Sequence, residues 1–513
     1  MQNRAWSWHR VVDALREAPS RIDPLVIVVG GISLLVYSLH GIDGGLSRDR
    51  GLYSYAGQQF ADGVPPYEGV FNRAGPLAHI IPGIGVGGAR LFGVDELNAI
   101  RVLFMLISVA CVCVIYLFAR DLFGSPLAAL STAAAFLSFA GIIENASNGP
   151  REKTPMILFL LLAFWAAHRH RWIWAGAMLA LATLALQIAL PAGAAAILVL
   201  AIAAGPGQRL AAIVRTVVGG VATLAVFVLY FLVVGAAGDF VEAFFLVNLE
   251  YTSSDPFTAN VAANWDDLAA GYRASVWVLL VGIVAILTVT AFAFSRRYRR
   301  GHPNAVPLAA LGAATAVALV WTVREYDSWP DAMLLLPTAA FGVGVIADAV
   351  TEVLSLRWLR AAALAWVLLA LVMATSYAVS DRHHMLVDQR AAVRAKLRHL
   401  PDDATILSIN SPQALVLSGK TNAIPYQIFK PDLLEYIEDT WPGGLEGLAE
   451  DVEQDPPTLI TVSGYIPQWL ADTVERDYVR VGSAPGWVWY VDRSVGHRVV
   501  TLVRRAGGKR HRR

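Results

Sequence analysis

A short charged and aromatic stretch near the N-terminus contains the residue types that acid–base chemistry requires. Residues 47–60 read SRDRGLYSYAGQQF, in which Asp49 lies between Arg48 and Arg50. A carboxylate can accept the proton of a reacting hydroxyl, and an arginine can hold a phosphate or a developing negative charge. The same arrangement is also typical of an exposed ion pair at a membrane edge, which contributes about 0–1 kcal/mol.

Two later stretches carry further charged groups of this kind. Arg73 follows Asn72 in the sequence EGVFNRAGPL, and Arg151, Glu152 and Lys153 lie together in PREKTPMILFL. Arginine and lysine could bind a phosphate there. Alternatively, Arg73 is a headgroup-level residue whose stem lies along apolar surface, and Glu152 is a helix cap.

The composition places these residues in a membrane protein. The 513-residue chain is 56% hydrophobic and only 16% charged, and its mean hydropathy is +0.52. Soluble domains are about 45–50% apolar and about 25% charged. The formal net charge of +1 gives no electrostatic basis for binding nucleic acid. Cys111 and Cys113, the two cysteines, lie in one apolar run, which excludes a disulfide framework.

The chain contains twelve apolar segments. They fall near 24–41, 75–93, 98–119, 126–143, 155–167, 172–187, 189–204, 212–235, 274–295, 305–322, 331–350 and 360–380. Basic residues at span ends mark the cytoplasm, and the N-terminal tail and the clusters at 168–171 and 296–300 are all basic. These clusters share the side of the N-terminus only if the Gly- and Pro-rich segment 75–93 does not cross the membrane. We therefore predict eleven spans, a re-entrant or juxtamembrane element at 75–93, and a tight hairpin near 187–191.

This topology predicts a multi-pass plasma-membrane protein in three parts. They are a cytoplasmic tail at 1–23, a transmembrane domain at 24–380, and an extracytoplasmic domain at 381–513. Four loops also lie outside: 42–97, 144–154, 236–273 and 323–330.

The C-terminal part has the alternation of a small α/β domain. We predict helices at 385–399, 431–438, 443–453 and 466–475, and strands at 404–409, 458–463, 478–483 and 487–492. It contains no Gly-rich phosphate loop, nucleophile elbow or metal-ligand spacing. A lid or acceptor-docking module is therefore favoured over a second catalytic site.

The first outer loop also predicts how its residues are held. Leu52, Tyr55, Ala56 and Phe60 share one face of a helix, which is typical of a helix lying on the membrane surface with its apolar side down. Together with the element at 75–93, this helix would gather Asp43, Asp49 and Arg73 at the bilayer surface. Gln187, a polar group within an apolar region, is expected to hydrogen-bond a neighbouring helix.

This loop resembles that of GT-C fold glycosyltransferases, which include the protein mannosyltransferases and the aminoarabinose transferases. Where that family has D-E-x-x-Y, this chain has residues 49–53 (DRGLY), and where the family has K-P-P or K-G-P it has residues 73–77 (RAGPL). Residues 120–124 (RDLFG), 150–160, 240–251 (FVEAFFLVNLEY) and 324–337 (REYDSWPDAMLLLP) are also similar to later parts of such proteins. The resemblance covers roughly residues 25–380.

The resemblance implies a polytopic helical enzyme that transfers a sugar, with inversion, from a polyprenyl-phosphate donor to an acceptor at the outer membrane face. Asp49 matches the catalytic aspartate. Arg73 stands at the position of the phosphate-binding lysine, and further candidates for the donor phosphate are Arg151, Lys153 and Arg324. Supporting residues of the site are Asp43, Tyr53, Gln58, Tyr67, Asn72 and Glu152. The acceptor would be a cell-envelope glycan, lipid or protein, and the composition favours a bacterial source.

Two departures from the family pattern keep alternatives open. The acidic residue that usually follows the aspartate is Arg50, and the one that often precedes the lysine is Asn72. Both changes remove possible metal ligands, so a divalent metal would depend on Asp43 and Asp49. They also motivate the alternative of a non-catalytic GT-C homologue or a flippase for lipid-linked sugars. Against a transporter, the chain shows no internal repeat and few charges within its spans.

Overall fold

The fold is a helical bundle joined to a small sheet. The computed structural model describes residues 23–251, 255–353 and 357–506. The predicted N-terminal tail, except Asp23, and the basic chain end at 509–513 lie outside the described residues.

Ten helices lie between residues 23 and 235 of the described chain. They are α1 (Leu25–His40), α2 (Arg48–Ala61), α3 (Leu77–Phe92), α4 (Glu96–Phe123), α5 (Pro126–Leu137), α6 (Ala140–Asn148), α7 (Lys153–His168), α8 (Trp172–Ala185), α9 (Ala189–Ala203) and α10 (Arg209–Val234). The break between α8 and α9 falls at residues 186–188, close to the predicted hairpin.

The second part continues the bundle with shorter connecting helices. These are α11 (Ala237–Val241), a π-helix (Glu242–Leu246), α12 (Val247–Glu250), a 3-10 helix (Phe257–Asn260), α13 (Val261–Tyr272), α14 (Ser275–Ala293), α15 (Arg296–Gly301), α16 (Ala305–Arg324), a 3-10 helix (Trp329–Leu335), α17 (Leu336–Val353) and α18 (Arg357–Ser380).

Six helices in the described chain are long and apolar enough to cross a membrane, and the bent pair α5–α6 makes a seventh candidate. Five shorter apolar helices, α1, α3, α7, α8 and α9, have 14 to 16 residues. At about 1.5 Å per residue they reach about 21–24 Å, which is less than the roughly 30 Å hydrocarbon core. The structure thus establishes a multi-pass helical architecture, and the count of eleven spans stays a prediction.

Small residues let the bundle helices approach closely. A Cβ built on Gly219 of α10 would meet the Ile173 carbonyl oxygen of α8 at 1.9 Å, and one on Gly176 of α8 would meet the Thr216 carbonyl oxygen at 1.8 Å. Helices in lipid associate largely through van der Waals packing, so contacts of this kind hold the bundle together.

The C-terminal region forms a four-stranded sheet flanked by helices. The strands are β1 (Ile406–Ile409), β2 (Leu459–Val462), β3 (Tyr478–Ala484) and β4 (Trp487–Asp492), and the helices are α19 (Met385–Leu397), α20 (Gln413–Ser418), α21 (Pro431–Thr440), α22 (Gly444–Gln454), α23 (Gln468–Asp477) and α24 (His497–Arg505), with a 3-10 turn at Arg493–Val495. The strand order is β1-β2-β4-β3, in which β1 and β2 are parallel and β4 is antiparallel to both of its neighbours. All four predicted strands are present; α20 and α24 were not predicted.

The expectation that α2 lies apolar side down on the membrane is wrong. Leu52, Tyr55 and Ala56 belong to a core cluster with residues of the C-terminal region such as Leu415. The Tyr55 hydroxyl also accepts a hydrogen bond from the Asn422 backbone N–H at 2.8 Å. A single sequence shows which face of a helix is apolar, but the partner that covers this face lies more than 300 residues away.

The adjoining side of α2, which includes Gly57 and Phe60, packs on α3. A Cβ on Gly57 would meet the Pro82 Cβ at 2.5 Å, and one on Gly83 would meet the Phe60 ring at 2.4 Å. Helix α2 therefore lies between α3 and the C-terminal region, and its position is fixed from both sides.

Helix α21 ties the C-terminal region to loops of the bundle. The contacts are Arg73 to Asp432 at 2.6 Å, Tyr436 to Glu242 at 2.5 Å, Tyr251 to Asp439 at 3.0 Å and Lys430 to Asp327 at 2.7 Å. Three of the four loops predicted to lie outside thus meet the C-terminal region along this helix. At other helix ends, Arg120 pairs with Asp23 at 3.4 Å and Arg169 pairs with Asp121 at 2.5 Å.

Candidate active site

Asp49 lies in the first turn of α2, which begins directly after Ser47. One carboxylate oxygen accepts a hydrogen bond from Arg151 Nη1 at 2.6 Å, and the other accepts from Arg48 Nε at 3.1 Å. The side chain remains 38% exposed. Burial opposes its ionisation, but the charges of Arg151 and Arg48 outweigh burial and hold the pKa of Asp49 well below its usual range. The result is an ionised, accessible carboxylate.

A buried polar cluster supports Asp49 from behind. Arg151 and Glu152 are both buried, and Arg151 Nε lies 3.8 Å from Glu152 Oε2, beyond hydrogen-bond distance. Neither of these two atoms makes a hydrogen bond within the described chain. Burial and the negative charge of Glu152 raise the pKa of Tyr53 well above its usual value, so its phenol stays protonated. Arg151 thus holds the Asp49 carboxylate through Nη1, while its Nε–H is a donor with no acceptor in the described chain.

Arg50, at the position where the family has an acidic residue, turns away from Asp49. Its Nη2 donates to Glu144 Oε1 at 2.7 Å and to Asn145 Oδ1 at 3.3 Å. The Arg50 side chain is 9% exposed and lies between α2 and α6, where the ion pair with Glu144 neutralises its charge. This departure from the family pattern leaves the space in front of Asp49 open.

Lys153 pairs with an aspartate that caps a helix. Its Nζ lies 2.7 Å from Asp331 Oδ1. The other oxygen of Asp331 accepts the backbone N–H groups of Asp327 and Ser328 at 2.9 and 3.0 Å. The contact links the second predicted outer loop to the residue directly after the fourth, and Asp331 in turn bonds that fourth loop at Asp327 and Ser328.

Arg73 makes hydrogen bonds through both its backbone carbonyl and its side chain. Its carbonyl oxygen accepts hydrogen bonds from Gln187 Nε2 at 2.8 Å and Asn248 Nδ2 at 3.0 Å. Its Nη1 donates to Asp432 Oδ2 at 2.6 Å and approaches the Tyr251 carbonyl at 3.4 Å. Gln187, expected to bond a neighbouring helix, donates to the Phe244 carbonyl of the π-helix at 3.0 Å, and it also fixes the loop that carries Arg73.

A cavity of about 410 Å³ opens beside Asp49. One wall is the start of α2, at Ser47, Arg48 and Asp49. The other wall is Asn410 and the loop 463–465, which follow β1 and β2. No motif predicted this cavity, because its two walls lie about 360 residues apart in the chain. The one available signal was that both loops end parallel strands, where α/β sheets commonly bind ligands.

Three predicted supporting residues have structural contacts. Gln58 donates to Glu96 at 2.8 Å. The Tyr67 hydroxyl donates to the Ala74 carbonyl at 3.0 Å, and the Ala74 N–H donates to Asn72 Oδ1 at 2.9 Å. Tyr67 and Asn72 are buried, and these two bonds shape the turn before α3.

Two further predicted residues have partners other than Asp49. Asp43 faces His384 at 3.7 Å. Arg324 is 79% exposed and pairs with Glu325 at 3.1 Å. Asp43, Asp49 and Arg73 each pair with a different residue, and their gathering at the bilayer surface stays a prediction.

In the described residues, the side chains around Asp43 and Asp49 do not form a metal centre. Within residues 23–251, 255–353 and 357–506, no group of three or more His, Cys, Asp or Glu side chains is arranged to hold a metal ion. Asp49 faces two guanidinium groups and Asp43 faces an imidazole.

The comparisons with known proteins agree with this architecture. The profile of the family described as "Dolichyl-phosphate-mannose-protein mannosyltransferase" matches residues 84–231, less than a third of the chain. A search of curated protein sequences finds no match.

Two solved structures are similar over almost the whole chain. ArnT from Cupriavidus metallidurans bound to undecaprenyl phosphate has a TM-score of 0.60 and 14% identity, with 91% of this chain and 97% of that chain covered. The apo state of the same protein has a TM-score of 0.58 and 13% identity, covering 94% and 99%. The expected GT-C fold is therefore confirmed, and the chain resembles the mannosyltransferase family over residues 84–231.

Proposed function

We propose that the protein is a glycosyltransferase that moves a sugar from a polyprenyl-phosphate donor to an acceptor hydroxyl or amine, with inversion. The observation that carries the proposal is the ionised and accessible Asp49 at the edge of a cavity, braced by Arg151. Two findings support it: the fold is that of ArnT, and the solved ArnT structure holds undecaprenyl phosphate.

Asp49 acts as the general base. The acceptor oxygen attacks the anomeric carbon from the side opposite the phosphate, and its proton passes to the Asp49 carboxylate. The bond between the anomeric carbon and the phosphate oxygen breaks, and polyprenyl phosphate leaves with that electron pair. A single displacement of this kind inverts the anomeric configuration.

Arg151 couples the base to the leaving group. A carboxylate held by two guanidinium groups is a weak base, because its pKa is depressed. When a donor phosphate binds, it competes for Arg151, whose Nε has no hydrogen-bond partner in the described chain. Sharing Arg151 with the phosphate raises the basicity of Asp49, so the base becomes effective only after the donor has bound.

Lys153 and Arg73 are the further cations proposed for the donor phosphate. Each is already paired with an aspartate, Asp331 and Asp432 respectively, at 2.7 and 2.6 Å. Donor binding must share or replace these pairs. Arg324 is the weakest of the candidates, since it is exposed and its described partner is its neighbour Glu325.

The sidedness of the reaction follows from the predicted topology. We propose a cytoplasmic N-terminus, with Asp49 and the C-terminal region at the outer face. Support comes from contacts that join the four predicted outer loops to one another or to the C-terminal region, among them Arg50–Glu144, Tyr436–Glu242 and Lys430–Asp327.

The first test is transfer from a panel of radiolabelled polyprenyl-phosphate sugars to envelope extracts. Wild type is compared with Asp49→Asn and with Asp62→Asn, a matched change at the other end of α2. We expect transfer from one donor by wild type and Asp62→Asn, and none by Asp49→Asn at an unchanged thermal midpoint. Normal turnover by Asp49→Asn would exclude it as the base. No transfer from any donor, with donor lipid still bound, would favour the non-catalytic homologue or flippase.

A further inference from the structure

We infer that the cavity between α2 and the C-terminal sheet is the acceptor site, and that it takes a carbohydrate hydroxyl. This inference rests on the proposed function, because it places the second substrate of that reaction against Asp49. The cavity volume of about 410 Å³ lies within the usual range for small-ligand sites, roughly 300–1,000 Å³.

The far wall of the cavity is built by two adjacent strand ends. Strands β1 and β2 are parallel neighbours, and the Ser463 N–H donates to the Ile409 carbonyl at 3.0 Å. Asn410 adopts a φ of +54°, and its Oδ1 accepts the Phe429 N–H at 2.8 Å. The side chain of Asn410 therefore fixes the turn, and the loop after β2 carries the groups that face the cavity.

That loop presents an aromatic ring and hydroxyl groups. Gly464 has a φ of +83°, a conformation that suits glycine, and the following Tyr465 is 57% exposed. The hydroxyls of Ser47, Ser463 and Tyr465 make no hydrogen bond in the part of the chain that the structure describes. An exposed ring can stack against the C–H face of a sugar, and the uncommitted hydroxyls can bond its hydroxyl groups.

Charge and polarity narrow the acceptor further. Arg48, in the near wall, disfavours a cationic amine, and Asp49, in the same wall, disfavours an acidic group at the reacting position. An acyl chain would need a wall of aliphatic side chains, whereas this lining consists of hydroxyls, an amide, a glycine, one aromatic ring and the charged groups of Arg48 and Asp49. A neutral, polyhydroxylated acceptor matches the set best, and the hydroxyl nearest Asp49 is the one that becomes glycosylated.

The test uses the full-length protein and the donor found in the first experiment. Three envelope fractions serve as acceptors: delipidated and protease-treated polysaccharide, a serine- and threonine-containing peptide mixture, and extracted glycolipid. We expect label in the polysaccharide. Tyr465→Ala should raise the polysaccharide concentration for half-maximal rate about tenfold, equivalent to about 1.4 kcal/mol, with a smaller change in maximal rate. Tyr465→Phe should largely restore it, because the ring remains.

The control is Leu502→Ala, which truncates an exposed apolar side chain of α24 that does not line the cavity; it should behave as wild type. Label in the peptide fraction alone, or on a part of the glycolipid other than its sugar head, would overturn the carbohydrate assignment. Transfer to polysaccharide that Tyr465→Ala leaves unchanged would overturn the site while leaving the proposed function standing. No turnover of any donor would overturn the proposed function, and this inference with it.

Discussion

At the scale of single residues, the pair Asp49–Arg151 determines how the activity depends on pH. Because the pKa of Asp49 is held well below its usual range, the carboxylate is ionised throughout the neutral range. The ion pairs of Asp49 stabilise the folded protein fully at a pH above the pKa of an aspartate in the unfolded chain, about 3.9. This stabilisation is lost as the pH falls through the lower pKa that Asp49 has in the folded protein. Wild-type kcat/KM should therefore show no acid limb from Asp49 above about pH 4.

Arg151→Gln should move this limb upward. With one of its two cations removed, the pKa of Asp49 rises, so kcat/KM should begin to fall at a higher pH than in wild type. The profile is measured from about pH 4 to pH 8, where wild type should be flat, and the appearance of an acid limb in the variant is the readout, since donor affinity will also drop. The control is Arg90→Gln, which removes a cation of α3 that pairs with Asp62 directly after the end of α2. An unmoved acid limb in Arg151→Gln would contradict the coupling.

The pair Arg73–Asp432 gives a second prediction at this scale. If the donor phosphate competes with Asp432 for Arg73, Asp432→Asn should lower the donor KM several-fold. The same change loosens α21, so Tyr436→Phe serves as the control, because it removes a contact of the same helix with Glu242 without touching Arg73. Equal donor KM values in the two variants would show that Arg73 does not bind the phosphate.

At the scale of elements, the placement of α2 depends on a glycine. A Cβ on Gly51 would meet the Gln413 backbone nitrogen at 2.7 Å, whereas one on Gly87 of α3 would meet nothing within 4 Å. Overpacking costs about 1–3 kcal/mol, against a helix-propensity gain of about 1 kcal/mol. Gly51→Ala should thus lower the thermal midpoint in detergent and reduce transfer, and Gly87→Ala should do neither.

The elements also show what the sequence could predict. Strands 478–483 and 487–492 were placed within one residue, since alternating apolar residues identify a half-buried strand. Helix α2 and its apolar face were predicted. The C-terminal region that packs on this face was not predicted, because an amphipathic pattern does not identify which part of the chain will cover it. The cavity was missed for the same reason: Asp49 was found by its motif, while Ser463 and Tyr465 belong to no motif.

At the scale of the whole molecule, the proposed orientation can be tested with single cysteines. The native Cys111 is buried and Cys113 is half-buried, so background labelling should be small. A membrane-impermeant maleimide should label Glu475→Cys in α23 on intact cells, and Arg299→Cys in α15 only after permeabilisation. Both positions are exposed. The reverse pattern would invert the topology, and labelling of both in intact cells would refute the eleven-span arrangement.

The core shared by α2 and the C-terminal sheet has a consequence for how such proteins diversify. The segment that carries the proposed base is also part of the hydrophobic interior of the region proposed to bind the acceptor. A chimera that exchanged only residues 381–513 with a relative would pair a foreign sheet with an unmatched helix. A new acceptor specificity should therefore be transferable only when residues 46–70 are exchanged together with the C-terminal region. The two segments then evolve as one unit, although they are far apart in the chain.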